Sequence, residues 1–413
     1  MSCCTRIIFV AILMGSTVFQ AAAQAQCLGG TSATPQVEAG PEYTFVRFRL
    51  DERGHRQYCD TVAAVTSAAG PPSNVGAGPL FVVFVHGWKH DGTPSDSYVD
   101  SFRMFLGELA AAERSKTAQW KRRVVGVYVS WPANDGAWAS WAQNLNFWET
   151  KKRADVVQSR GEVRKLLGSL NDRLGYFNPR PTAQDGMMVT IGHSFGARIV
   201  FESIRGPLET NVIREGSAKP GQACTGNVVC NPVSGFGELV VLLNPAFEAD
   251  LYNIFYRFGG GSWPAFNPPN GGLKPLESWP QMQPPLLLAL GAINDDATAK
   301  YWPVAHPGAD RTTSTTLTNY DRYVTYELLF DPDKQANVSA LVGAEILDRT
   351  HTLGPVSGAS LVPRAPSNNS PFVVARADHR LMDGHGGIWG SALRNFLVEY
   401  LDQLQYVKRL KVP

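Results

Sequence analysis

The stretch Met187-Met188-Val189-Thr190-Ile191-Gly192-His193-Ser194-Phe195-Gly196-Ala197-Arg198 carries the sharpest chemical signal in the chain. An apolar run passes into G-x-S-x-G, and the residues after it, Ala197-Arg198-Ile199-Val200-Phe201, suit a helix. The pattern predicts a strand–turn–helix corner that holds a serine at strained backbone angles, with glycines two residues before and two after leaving room for crossing backbones. A serine hydroxyl is a poor nucleophile until an adjacent base takes its proton. Ser194 therefore calls for a histidine and a carboxylate elsewhere. In chains built on this corner the order is nucleophile, acid, base, which places the base late. Gly384-His385-Gly386-Gly387 offers an imidazole on a glycine-rich loop just before the last predicted helix. His379, flanked by Asp378 and Arg380, reads as a solvated or structural histidine. For the acid, Leu286–Leu290 runs into Gly291-Ala292-Ile293-Asn294-Asp295-Asp296, two carboxylates at a strand's C-terminal end, where such sites form. Spacing alone separates Asp295 from Asp296 weakly. Asp378 and Asp383, and Glu248 and Asp250 after an earlier strand, are alternatives.

Acyl transfer also needs donors for a developing oxyanion, each worth about 3–4 kcal/mol. The N–H of Phe195, directly after the nucleophile, is one. Phe84-Val85-His86-Gly87-Trp88 ends an apolar run, and the Trp88 N–H is assigned as the second donor, with Gly87 allowing the turn and His86 supporting the loop.

These groups need a frame. Leu80–Val85, Val124–Val129, Met187–Ile191, Leu239–Leu243 and Leu286–Leu290 are continuous apolar runs, as expected of strands buried on both faces. Tyr43–Leu50 alternates and predicts an early, half-exposed strand. Helices are predicted over Tyr98–Ala112, Lys151–Leu174 and Ser391–Val407. The expected fold class is thus α/β, a doubly wound, mostly parallel sheet in one large domain spanning 26–413. Insertions near 205–237, 252–285 and 303–376 fall outside the alternation, the last with one strand over Tyr320–Leu329, and stand as cap or binding loops.

The segments His86-Gly87-Trp88, Gly192-His193-Ser194-Phe195-Gly196 and Gly384-His385 resemble those of an α/β-hydrolase-fold serine hydrolase of the esterase/lipase type. Val124-Val125-Gly126-Val127-Tyr128-Val129-Ser130-Trp131 and Phe147-Trp148-Glu149-Thr150-Lys151-Lys152 are similar to a bacterial and fungal subgroup of it. Asn294-Asp295-Asp296-Ala297-Thr298 resembles an acid-bearing N-D-x-A-T stretch of that subgroup, which favours Asp295. The resemblance covers roughly residues 80–300 and 377–405. It implies the α/β-hydrolase fold, a triad Ser194–Asp295–His385 and no cofactor, and it does not reach the insertions that would set substrate choice.

Composition narrows the rest. In 413 residues, 38 Lys+Arg face 36 Asp+Glu, a net +2 that gives no general attraction for nucleic acid. Ile7–Phe19, after Arg6 and before Ala23-Gln24-Ala25, reads as a signal peptide over residues 1–25. Its apolar run is short of the ~20 residues that span a bilayer, so no integral span is expected after signal removal and the destination is periplasmic or secreted. Cys27, Cys59, Cys224 and Cys230 then remain for two disulfides, with Cys27–Cys59 and Cys224–Cys230 favoured as nearest neighbours. No H-E-x-x-H or G-x-x-x-x-G-K-[ST] pattern calls for a metal or a phosphate. Trp138, Trp141, Leu145 and Trp148 share one helical face, read as core before ligand wall. Trp263, Phe266 and Trp279 line either an acyl pocket or a flexible cap, and Lys151-Lys152-Arg153 is read as a solvated face. The partner expected is a small-molecule or lipid ester. The same triad would serve a peptidase or amidase, and a catalytically silent binding protein could keep the corner for folding reasons.

Overall fold

The computed structural model describes residues 36–58, 60–70, 78–116, 121–133, 147–177, 186–216, 233–258, 283–331, 358–364 and 370–410. The proposed signal segment, all four remaining cysteines, Trp138, Trp141, Leu145, Trp263, Phe266 and Trp279 lie outside the described residues.

The strands are β1 Val37–Ala39, β2 Tyr43–Arg49, β3 Leu80–Val85, β4 Val124–Ser130, β5 Met187–His193, β6 Leu239–Leu243, β7 Leu287–Ala292, β8 Tyr326–Phe330, β9 Ala359–Pro363 and β10 Phe372–Ala377. The helices are α1 Thr61–Ala68, α2 Ser97–Arg114, α3 Phe147–Arg160, α4 Glu162–Phe177, α5 Phe195–Gly216, α6 Asn253–Phe258, α7 Trp302–Ala305 and α8 Ser391–Leu410. One ten-stranded sheet has the order β1-β2-β4-β3-β5-β6-β7-β10-β8-β9. Only the outer pairs, β1 on β2 and β8 on β9, run antiparallel; every inner pair is parallel. The chain therefore has an α/β fold built on a mixed, mostly parallel sheet.

Side-chain alternation divides the core. Along β3, Phe81, Val83 and Val85 enter one cluster with α1, α3, α4 and α5, while Leu80, Val82 and Phe84 enter the other with α2 and α8. All six β3 residues are buried, because helices cover both faces and leave no solvated side to pattern. Where α2 comes close to the sheet, β4 has a glycine: a Cβ on Gly126 would lie 2.2 Å from Leu106 Cδ1. Gly126→Ala is expected to overpack this contact and lower unfolding free energy by about 1–3 kcal/mol, read as a lower urea midpoint at unchanged m-value.

Several local expectations are corrected by tertiary placement. Tyr43–Leu50 is not half-exposed: β2 lies between β1 and β4, and Thr44 through Phe48 are buried. Arg47 is tolerated there because its guanidinium donates to Gly92 O at 3.1 Å and lies 3.8 Å from Glu38. The helix predicted over Lys151–Leu174 is two helices, divided at Gly161, whose φ of 71° is incompatible with a continuous helix. Residues 303–376 hold β8, β9 and nearly all of β10 instead of a single strand, and 205–216 continue α5. Lys151 is not solvated; it lies 3.2 Å from Glu248 and 3.7 Å from Asp155 with a largely covered side chain. Among the described residues no helix is long and apolar enough to cross a membrane.

Candidate active site

The central parallel strands end on one edge, and the residues singled out by the sequence gather there. β5 terminates at His193, and α5 starts at Phe195, so Ser194 alone makes the corner, at φ 55°. Its main-chain N–H donates to Leu243 O at 3.0 Å, and its carbonyl accepts from Ala197 N at 3.0 Å and Ala246 N at 3.2 Å. These bonds over-determine a conformation that an L-residue otherwise avoids, a strain of order 1–3 kcal/mol. The flanking glycines are steric necessities. A Cβ on Gly192 would lie 2.6 Å from Ala197 Cα, and one on Gly196 would lie 2.2 Å from Val85 O and 2.4 Å from His86 O. The corner is thus pressed directly against the end of β3. Lys89, Ser194 and Asn244 are the non-glycine residues with positive φ among the described ones, and they follow β3, β5 and β6 at this edge.

His385 reaches Ser194 from the loop between β10 and α8. Ser194 Oγ–H donates to His385 Nε2 at 2.8 Å, and His385 Nδ1–H donates to Asp295 Oδ2 at 2.8 Å. This assignment of protons follows from Asp295 being able only to accept when ionised, which leaves the Nε2 lone pair facing the serine. Asp295 lies past the end of β7 and is 1% exposed. Its Oδ2 also accepts from Thr298 Oγ1 at 2.6 Å, and its Oδ1 accepts from Ala297 N at 3.0 Å and Thr298 N at 3.3 Å. Burial pushes this carboxyl up, but the bonds and charge of His385 with the Thr298 donors outweigh it, so it lies below the usual carboxylate range. Thr298 is itself held, since Asn319 Nδ2 donates to its Oγ1 at 2.9 Å.

The other carboxylates considered for the acid are engaged elsewhere. Asp296 pairs with Lys300 at 2.8 Å, Asp378 with Arg380 at 2.7 Å, and Asp383 Oδ1 accepts from Asn294 Nδ2 at 2.8 Å. Glu248 pairs with Arg198 and Lys151, and Asp250 lies in the short 3₁₀ turn that follows it. His379 lies 3.4 Å from Asp378 with a largely exposed ring.

Two other histidines line the back of the site. His86 donates from Nδ1 to Gly87 O at 2.8 Å and accepts at Nε2 from Trp131 N at 3.1 Å. Full burial lowers its pKa to about 4, so it is a neutral bracket for the β3 loop. His193 donates from Nε2 to His385 O at 2.9 Å, and burial first, then the neighbouring His385 charge, holds it well below the ordinary histidine range.

The segment expected to supply oxyanion donors sits against Ser194: a Cβ on Gly87 would lie 2.7 Å from Ser194 Cβ. Phe195 is the first residue of α5, so its N–H has no acceptor inside the helix. The Trp88 and Phe195 rings both pack on Phe147, at 6.3 and 5.3 Å between centroids, and Phe147 packs on Trp302 at 5.5 Å. An aromatic patch therefore flanks this segment. Trp148, the one described member of the predicted Trp stripe, is 43% exposed and therefore not core.

Sequence reasoning missed the side chains that hold the loop bearing His385, chiefly Asn244 and Tyr98. Asn244-Pro245 directly after the apolar run Leu239–Leu243 is a turn signal, which marks the place but not the contacts. Among the described residues no group of three or more His, Cys, Asp or Glu side chains is arranged to hold a metal ion. Compared with protein-family models, with curated proteins and with solved structures, the chain has no match.

Proposed function

We propose that the chain is an α/β-hydrolase-type serine hydrolase that cleaves carboxylic esters through an acyl-enzyme on Ser194. The observation that carries this reading is the unbroken relay from Asp295 through His385 to Ser194, with 2.8 Å at each link. In this mechanism Ser194 Oγ attacks the ester carbonyl while His385 Nε2 takes its proton. The main-chain N–H groups of Phe195 and Trp88 receive the oxyanion. Collapse of the tetrahedral species breaks the carbon–oxygen bond, and His385 returns the proton to the leaving alcohol. Water then repeats the sequence and releases the acid. Asp295 keeps the imidazole in the required tautomer and stabilises the imidazolium, without itself taking up the proton.

The strained corner after a buried parallel strand and the chain order Ser194, Asp295, His385 both support the α/β-hydrolase reading. The partly exposed rings of Trp88 and Phe147, backed by the buried Phe195 and Trp302, favour a substrate with an apolar acyl group, a small-molecule or lipid ester. The apolar N-terminal stretch Ile7–Phe19 with Ala23-Gln24-Ala25 supports export to the periplasm or medium, where Cys27, Cys59, Cys224 and Cys230 could pair.

A fluorophosphonate probe tests the reading. The folded protein is expected to gain one phosphonyl group, mapped by mass spectrometry to a peptide containing Ser194, and to lose ester hydrolysis in proportion. Absence of labelling on folded protein would overturn it in favour of a catalytically silent binding module. Comparing p-nitrophenyl esters with matching anilides separates the esterase from a peptidase or amidase, which would turn over the anilides comparably.

A further inference from the structure

We propose that Asn244 is a positioning residue of the site, a buried amide that fixes the separation between the strand bearing the acid and the loop bearing the base. The inference rests on the hydrolase reading of Ser194, Asp295 and His385 but adds a residue outside that relay.

The problem it addresses is the loop itself. Gly384, Gly386 and Gly387 surround His385, Gly384 has φ 65°, and such a segment has more backbone freedom than any other composition. An imidazole that must stay within about 0.5 Å of its productive place needs its main chain held from outside. The structure supplies that hold. Asn244 Nδ2 donates to Gly384 O at 3.0 Å and to His385 O at 2.8 Å. His193 adds a second donor to His385 O at 2.9 Å, and Tyr98 OH donates to Gly386 O at 3.0 Å. Asn294 Oδ1 accepts from Gly384 N at 2.9 Å.

Asn244 differs from the other three in what its remaining atom touches. Its Oδ1 accepts from Ala292 N at 2.8 Å, the last residue of β7 and three before Asp295. One side chain therefore bonds both to the strand that delivers the carboxylate and to the loop that delivers the imidazole. It is 0% exposed, and its own N–H donates to Leu290 O at 2.8 Å. Both amide hydrogens and the carbonyl oxygen are used, a donor–acceptor set that an ionised carboxylate cannot reproduce. The φ of 44° is one that asparagine tolerates better than most residues. No bond runs from Asn244 to Ser194 Oγ or to the imidazole ring, so its effect acts through His385.

Asn244→Asp tests this in the full chain. It keeps the shape and the acceptor for Ala292 N, and sets a carboxylate against the carbonyls of Gly384 and His385. Asn244→Gly, which tolerates the same backbone angles and removes the side chain, serves should the aspartate variant not fold. Per active site titrated with the phosphonate probe, kcat is expected to fall about 100-fold, the scale of a 1 Å misplacement, with KM within about twofold of the parent. The low-field NMR proton of His385 Nδ1, hydrogen-bonded to Asp295, is expected to broaden or move upfield in the same variants. A folded variant that keeps both kcat and this resonance overturns the proposal. Should the parent hydrolyse no ester, the hydrolase reading fails, and the resonance alone decides the positioning role: movement supports it and retention overturns it.

Discussion

Ser194→Ala is expected to lower kcat for ester hydrolysis by about 10⁶-fold, close to 8 kcal/mol of transition-state stabilisation, while the protein stays folded. Losing the nucleophile removes the acyl-enzyme itself, and what remains is catalysis from the bound oxyanion donors and from substrate orientation. Stability should move little, and upward if at all. Alanine retains the small Cβ that the corner accommodates, the main-chain bonds of residue 194 to Leu243 O, Ala197 N and Ala246 N do not involve the hydroxyl, and the strain at φ 55° is common to both residues. The lost Oγ leaves His385 Nε2 without its hydrogen-bond donor, which a water can replace. Measuring kcat per folded molecule alongside the thermal midpoint separates the two effects. A Ser194→Ala protein with more than about one-hundredth of parental turnover would exclude Ser194 as nucleophile, provided wild-type contamination is ruled out by the absence of phosphonate labelling.

Much of the frame behind this site is legible in the sequence because central parallel strands have no solvated face. Leu80–Val85 and Leu239–Leu243 are read to the residue, since every position in them is buried. The edges are less legible for the same physical reason. β2 carries Arg47 and Arg49 on an alternating pattern that locally means a wet face, yet Arg47 is covered once β1 and the Gly92 loop are in place. β10, Phe-Val-Val-Ala-Arg-Ala, lies in a polar, proline-rich context and inserts between β7 and β8. Its place is set by pairing with strands 85 residues upstream at Phe372↔Leu287 (372 − 287 = 85), which no window of sequence encodes.

The candidate site divides along a similar line. Ser194 is marked by glycines whose spacing is dictated by close contacts, Gly192 with the first turn of α5 and Gly196 with the end of β3, so steric demand is written into neighbouring letters. His385 is found from chain order and a glycine-rich loop. The supporting groups carry no such mark: Asn244 and Tyr98 become meaningful only when Gly384, His385 and Gly386 fold back against them across 140, 141 and 288 positions. Glycine around the base signals freedom in the sequence; the hydrogen bonds that remove that freedom come from other elements.

Asp295→Asn is expected to lower kcat by about 10⁴-fold with a far smaller change in KM. An asparagine has the volume of the aspartate, and with its oxygen in the Oδ1 place it still accepts from the amides of Ala297 and Thr298, so the turn after β7 should persist; its nitrogen in the Oδ2 place can only donate, to Thr298 Oγ1 and toward His385. The loss falls on His385. An amide nitrogen directed at Nδ1 donates a hydrogen bond, which favours the tautomer protonated at Nε2 and removes the lone pair that faces Ser194. The imidazolium formed during attack also loses the buried negative charge 2.8 Å away. Because both effects act through the histidine, the double variant Ser194→Ala with Asp295→Asn should be hardly slower than Ser194→Ala alone, since residues that work as a unit do not contribute additively. Free energies from kcat of the two single variants and the double variant give the test. A coupling energy near zero, with the two losses simply multiplying, would mean that Asp295 acts independently of the nucleophile and that the relay is a structural hydrogen-bond chain.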